Sequence, residues 1–222
     1  MEGLKNIYAN SFYENQSEGS LRSAKEILSI LLKYISPKSA IDVGCGVGTW
    51  LKVLKDSGVD TLTGIDGEWI KDSTLYLSED HFVFQDLSKR IKMGKKYDFA
   101  LCMEVLEHLP DTSGKKIIDF LTKTSPYVLF SAAVPGQTGA IHINERWQSY
   151  WAKEFDKRGF VPIDLIRPFV WDNPRVDFWY KQNTILYVRK SALAKNKKLK
   201  GFNKPQILNV VHPIMFNIAS EI

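Results

Sequence analysis

The chemistry in this sequence gathers first in residues 40–51, AIDVGCGVGTWL, where Gly44, Gly46 and Gly48 alternate behind Asp42. Glycine lacks Cβ and accepts positive φ, so main chain in such a turn approaches a ligand closely. A dinucleotide turn has the spacing G-x-G-x-x-G, and its third position falls here on Thr49. Asp42 adds a charge argument: a carboxylate aimed into the turn repels pyrophosphate and attracts an ammonium group. Asp66 follows 24 residues later at the end of a second apolar run, where an acid accepts from ribose hydroxyls. Gln85-Asp86-Leu87 is a third station, an acid for an adenine amino group and a leucine to cover the ring. An ammonium, a ribose and an adenine with no phosphate describe S-adenosylmethionine.

Asp42-Val43-Gly44-Cys45-Gly46-Val47-Gly48 resembles the first motif of class I SAM-dependent methyltransferases. Asp66, Asp86 and YDFALCMEVLEHLP (97–110) resemble their second, third and fourth motifs, in the same order, across residues 39–131. The resemblance implies that the amides of Gly44, Cys45 and Gly46 line the methionine moiety, with Gly48 closing the turn. It implies Asp42 at the ammonium, Asp66 and Gly67 at the ribose, and Asp86 and Leu87 at the adenine, with Cys102, Met103 and Glu104 as the floor. S-adenosylhomocysteine is then the product. The lid sequence 135–151, the Trp-Tyr-x-Gln-Asn run from Trp179 to Asn183 and NVVHP (209–213) resemble a bacterial subgroup associated with surface-polysaccharide and glycan biosynthesis.

Methyl transfer to a hydroxyl needs an acceptor held in line and a route for its proton. Three stretches offer the residues. Glu104, Glu107 and His108 stand at i, i+3 and i+4, so a helix beginning at Glu104 carries them on one face. They read as cofactor-side scaffolding or, more sharply, as a base at His108 or a divalent-metal site; the scaffold reading is the expectation, and no metal is expected. Some quinone-biosynthetic O-methyltransferases with a similar helix do bind one. His142 lies in the glycine-containing loop after the fifth strand and is the first candidate for catalysis, with His108 and Glu107 beside it. Asn144 reads as an acceptor contact or as the cap of a helix starting at Glu145. Trp179, Tyr180 and Gln182 suit a sugar ring or an edge strand with exposed aromatics.

The elements that must position these residues alternate. Apolar runs at 40–43, 61–65, 81–84, 97–103 and 127–132 read as strands, with helical periodicity at 20–35, 48–57, 115–123 and 145–158 between or after them. The last helix carries Trp147, Tyr150, Trp151 and Phe155 on one face. Residues 160–166 and 184–188 read as two final, paired strands. The expected fold is α/β: a Rossmann-like, seven-stranded, mostly parallel sheet with helices on both faces and its ligand at the strand carboxyl ends. One methyltransferase domain over 1–190, with an N-terminal helical segment, carries a basic extension, 191–222, packed on it.

Composition narrows the function further. The net charge is +5, but Arg189–Lys204 holds seven basic residues and no acid, so the remaining body is near neutral. Nucleic acid is therefore not the expected partner, and the basic run reads as a solvated linker or a contact to an anionic substrate or membrane surface. Cys45 and Cys102 are too few for a disulfide framework and read as buried and reduced. The first fifteen residues lack a leader pattern and no run suits a membrane span, so the cytoplasm is expected. The acceptor is a small molecule or glycan; the alternatives are an RNA or protein methyltransferase, and a non-catalytic SAM-binding subunit.

Overall fold

The computed structural model describes residues 10–202 and 207–220, with side chains at 17–202 and 207–217. Helix α1 (Asn10–Leu31) precedes β1 (Ser39–Val43), α2 (Thr49–Asp56), β2 (Thr61–Asp66), β3 (Phe82–Phe84) and β4 (Phe99–Met103). Then come α3 (Asp111–Thr124), β5 (Tyr127–Ser131), α4 (Gln148–Asp156) and β6 (Phe160–Ile163). Two short helices, α5 (Arg167–Val170) and α6 (Phe178–Asn183), lead into β7 (Ile185–Arg189), followed by α7 (Lys190–Lys195), α8 (Lys197–Lys200) and α9 (Pro213–Ser220).

The seven strands form one sheet in the order β3-β2-β1-β4-β5-β7-β6. The first five run parallel, and β7 is antiparallel to both β5 and β6. The expected architecture is observed, including the pairing of the two final strands. Chain order reverses between β1 and β4, so the crevice at their carboxyl ends is where such a sheet binds its ligand.

Period-two alternation sends neighbouring residues of a strand to opposite faces. Leu101 and Met103 join Ala24, Ile27, Leu28 and Leu31 of α1 with Leu51 and Leu54 of α2 on one face. Ala100 and Cys102 join Ile117, Ile118 and Leu121 of α3 with Trp151 and Phe155 of α4 on the other. Each such leucine or isoleucine contributes about 1.5–3 kcal/mol by leaving water. Cys102 is therefore a core residue of the α3–α4 layer and does not floor the crevice.

Three expected elements end elsewhere. No helix opens at Glu104: its φ is +53, and only a single 3-10 turn, Leu106–His108, follows before Pro110 and α3. The fourth expected helix starts at Gln148 and leaves Trp147 41% exposed, off the apolar stripe. The basic run is no free linker. Arg189 closes β7 and lays its guanidinium over Phe160, while Leu193 and Leu199 bury the inner sides of α7 and α8. Asn196 caps α8 through the amides of Lys198 and Leu199. Lys204, and Tyr8 at the start of the N-terminal segment, lie outside the described residues.

Candidate functional site

The glycine turn is built by conflict between neighbours. Gly44 adopts φ +80, its amide donates to Ile65 O at 2.8 Å, and a Cβ there would strike the Val105 side chain. Gly46, at φ +51, has no neighbouring atom where its Cβ would stand. Open space over one glycine and a tight wall behind the other give a cradle that backbone alone can line.

Asp42 sits beneath this cradle at the end of β1, 1% exposed, with no hydrogen-bond partner for either carboxylate oxygen. Burial, and then the charge of Asp66, push its pKa up to about 7. A buried carboxylate without a donor is expensive unless a cation arrives. Asp66 is also buried, and burial pushes it to about 6 against the pull of two donors. Those donors are the amides of Gly46, on Oδ2 at 2.7 Å, and Gly67, on Oδ1 at 2.7 Å. Asp66 thus holds the turn in shape, and each oxygen keeps a lone pair for a further donor. Asp86 is exposed and accepts from Ser88 N at 2.9 Å and Ser88 Oγ at 2.6 Å, with Leu87 buried behind it. Cys45 points down against Gly64 and serves the core.

Across the crevice the loop after β4 carries two carboxyls, Glu104 half-buried and Glu107 fully buried. Glu104 accepts from Gln137 Nε2 at 2.9 Å and Asn183 Nδ2 at 3.2 Å, and burial raises its pKa. Glu107 is raised further, by burial and then by Glu104. Its Oε1 accepts from Ala133 N at 3.3 Å, and its Oε2 has no donor. His108 turns its ring edge to His142, centroids 4.8 Å apart, and burial lowers its pKa to about 4.

Glu107, His108 and His142 converge, each offering a ligand-type atom, all within 4.8 Å of one another. The trio read from spacing, with Glu104 in place of His142, rests on a helix that does not form. Glu145 is the partner missed in the sequence: its Oε1 receives His142 Nδ1 at 2.9 Å, and its two oxygens accept from Gly136 N and Thr138 N. The spacing His142-x-x-Glu145 is its signal, obscured by reading Glu145 as the first residue of a helix. Thr138 and Ile141, flanking this loop, hold left-handed φ values of +56 and +60, strain that persists only where surroundings enforce it.

The remaining candidates behave differently. Asn144 caps no helix; its Nδ2 donates to Leu106 O at 3.1 Å and its Oδ1 accepts from Arg146 Nε. Trp179, Tyr180 and Gln182 lie on α6 and form neither an edge strand nor an exposed aromatic face. Tyr180 is buried edge-on to Trp50, with its hydroxyl donating to Ser20 Oγ. Trp179 is half-buried against the same core layer. Gln182 is fully buried and spent: Nε2 donates to Gln137 Oε1 at 2.9 Å, and Oε1 accepts from His212 N at 2.9 Å.

Comparison with known proteins bears on the family and the fold. A family model described as a methyltransferase domain matches residues 16–172. The ubiquinone biosynthesis O-methyltransferase of Coxiella burnetii is 30% identical over 108 residues, 42% of this chain and 44% of that protein. The Salmonella enteritidis protein of the same name matches to the same extent, so the chain spans less than half the length of these curated relatives. Among solved structures, the magnesium protoporphyrin IX methyltransferase of Synechocystis PCC 6803 with bound SAM superposes with TM-score 0.56 at 19% identity, over 78% of this chain and 80% of that one. Streptomyces venezuelae DesVI also reaches 0.56, at 14% identity, over 80% and 95%. At such identities the likeness is one of fold.

Proposed function

The chain belongs to the methyltransferase domain family, and from that premise we propose that it transfers a methyl group from S-adenosylmethionine to a hydroxyl of a small-molecule or glycan acceptor. The observation that carries the donor half is Asp42: a buried carboxylate with both oxygens unpartnered, under an open glycine turn. An ammonium group satisfies it where a phosphate is repelled.

The donor brings its own activation, a methyl group on a positively charged sulfur. The protein's part is to hold and orient. In this reading Asp42 binds the amino group and the amides of Gly44 to Gly46 follow the amino-acid chain. Asp66 spends its free lone pairs on ribose hydroxyls while still bracing Gly46 and Gly67. Asp86 and Leu87 take the adenine edge and face, and Met103 and Glu104 close the floor. The acceptor end is the cluster of Glu107, His108 and His142, which must manage the hydroxyl proton. Hydroxyl chemistry is favoured by the names of the curated relatives, which are O-methyltransferases. A glycan acceptor rests on the resemblance of the 179–183 and 209–213 runs.

Calorimetry with S-adenosylmethionine and S-adenosylhomocysteine tests this. Both should bind the wild type, and Gly46→Arg, which fills the open space with a cation, should abolish binding while leaving the fold intact. Absence of binding by the wild type, or undiminished binding by Gly46→Arg, would remove the reading.

A further inference from the structure

We propose that the cavity beside Trp147 is an acceptor subsite for an anionic sugar, one that carries a phosphate or carboxylate group. The assignment rests on the methyl-transfer reading above and names the acceptor's class within it.

The cavity has a volume of about 250 Å³ and lies at the start of α4, where Pro135, Glu145, Arg146, Trp147, Tyr150 and Lys153 line it. That is below the roughly 300–1,000 Å³ of sites for drug-sized ligands and suits a single ring. Trp147 stands just before α4 and keeps 41% exposure. A lone exposed apolar side chain needs no ligand, but this indole walls a cavity that also holds two cations. Its flat apolar face suits the C–H face of a sugar ring, and its N–H edge suits a hydroxyl.

The cations select the ligand's charge. Arg146 is anchored before any ligand arrives. Its amide donates to Ala133 O at 3.1 Å, its Nε donates to Asn144 Oδ1 at 3.0 Å, and its guanidinium lies over the Tyr150 ring, 5.2 Å from the centroid. Its two terminal nitrogens make no ion pair or hydrogen bond among the described residues. A guanidinium fork held this way meets phosphate or carboxylate at little ordering cost. Lys153 follows Tyr150 by three residues on the same helix face, is exposed, and its ammonium makes no ion pair among the described residues. The acids nearby are spent. Glu145 accepts from His142 Nδ1, Gly136 N and Thr138 N, and Asp111 accepts from the Tyr150 hydroxyl and pairs with Lys115. The wall is thus left with cationic donors in excess, which favours an anion.

Glu145 joins this cavity to the acceptor cluster. It lines the cavity and accepts from His142 Nδ1 at 2.9 Å, so a ligand seated here lies one side chain away from that histidine.

The test titrates the full chain with methyl β-D-glucuronide, glucosyl phosphate, the neutral methyl β-D-glucoside and inorganic phosphate, with and without S-adenosylhomocysteine. Heat and tryptophan fluorescence are recorded. At least one anionic sugar should saturate one site per chain, about fivefold or more tighter than the glucoside and than inorganic phosphate, and added salt should weaken it. The tighter of the two anionic sugars names the anionic group. Arg146→Gln and Lys153→Gln should each weaken binding by about fivefold. Trp147→Ala should weaken it by about tenfold and remove the fluorescence change. All three side chains are exposed, so circular dichroism should stay parental. Lys153→Gln, which removes no internal contact, carries the test if another variant fails to fold. No saturable binding of either anionic sugar, equal affinity for the glucoside, or parental affinity in the folded variants overturns the site. S-adenosylmethionine is titrated into the same samples, and its Kd should be the same in all variants. Donor binding without sugar binding sinks this proposal alone, whereas sugar binding without donor binding sinks the methyl-transfer reading and leaves the binding site standing.

Discussion

His142 and Glu145 face each other across one turn of the acceptor loop, Nδ1 to Oε1 at 2.9 Å. The same carboxylate accepts from Gly136 N at 2.8 Å and Thr138 N at 2.9 Å. Glu145 therefore does two jobs. It folds the loop upon itself and fixes which nitrogen of His142 is presented inward. Substitution by glutamine keeps the size and removes the charge. We expect Glu145→Gln to lower kcat by about 10–100-fold, and His142→Ala by about 100-fold or more. Neither should change the Kd for S-adenosylmethionine, which in the proposed reading lies against the glycine turn across the crevice. Steady-state kinetics beside calorimetry separates the two quantities, and wild-type turnover by His142→Ala would retire its catalytic role.

Asp42 makes donor binding depend on pH. Its pKa in the folded chain is about 7, set by burial and by Asp66, and its charge in turn helps push the buried thiols of Cys45 and Cys102 up. Only the ionised form attracts an ammonium. Affinity should therefore rise with pH through about 7 and then fall as the ligand's own amino group deprotonates near about 8. Calorimetry across this range should give a bell for the wild type. In Asp42→Asn the rise near pH 7 should disappear, leaving only that of Asp66 near about 6, and the Kd should increase by about tenfold or more, as expected for losing a charged hydrogen bond.

The same residue has a stability signature of opposite sign. Folding raises the Asp42 pKa from 3.8 to about 7, so the native state binds the proton more tightly than the unfolded chain. Stability then falls as pH rises from about 4 to about 7, with the full penalty, on the order of 4 kcal/mol, present above that window. Asp42→Asn should raise the Tm of the ligand-free protein near pH 8 and leave it almost unchanged near pH 4, by thermal melts in matched buffers. A lower Tm at pH 8 would show that the carboxylate is compensated.

The shape of the glycine turn was legible in the sequence for a physical reason. A strand, a glycine turn and a helix are local, and Asp42, Gly44 and Gly46 act within five residues of one another. Asp66 is also local in effect, since an acid at the end of a neighbouring strand must reach the same turn. The acceptor half is not local. Glu104 leaves helical space at φ +53, and the cluster forms only when the loop after β5 brings His142 back over Glu107 and His108. The amides of Ile143 and Asn144 both donate to Glu107 O, a contact no spacing reports. Asn144 and Gln182 read as ligand contacts because amides suit either role, and their burial decides for structure.

Gly44 and Gly46 are two residues apart, share positive φ, and should respond unequally to alanine. At Gly44 a Cβ meets the Val105 side chain, so alanine adds overpacking to left-handed strain, a loss of about 2–4 kcal/mol. At Gly46 the Cβ meets nothing, and only the backbone term remains, about 1 kcal/mol. Urea unfolding measures both. Equal losses would mean that the wall behind the turn yields, and that the cradle is softer than its geometry.

The C-terminal segment is tied to the acceptor loop through Gln182. Its Oε1 receives the amide of His212, its Nε2 reaches Gln137, and its main-chain oxygen accepts from Gln148 Nε2 at 3.2 Å and Arg167. Arg167 carries the tie further, donating to Leu208 O at 2.7 Å and Ile207 O at 2.9 Å. Gln137 in turn donates to Glu104 on the crevice floor. Replacing Gln182 by leucine preserves volume but strands the buried His212 amide, at a cost of about 1–3 kcal/mol, while Gln137 Oε1 keeps its bond from Asn183 Nδ2 at 2.8 Å. The variant should therefore lose about 1–3 kcal/mol in urea unfolding. Hydrogen exchange gives the sharper reading: protection should fall together at 207–217 and in the 136–145 loop, while β1 and the glycine turn stay protected. If the loop keeps its protection when the tail loses it, the two segments are independent and the network is only a local clasp.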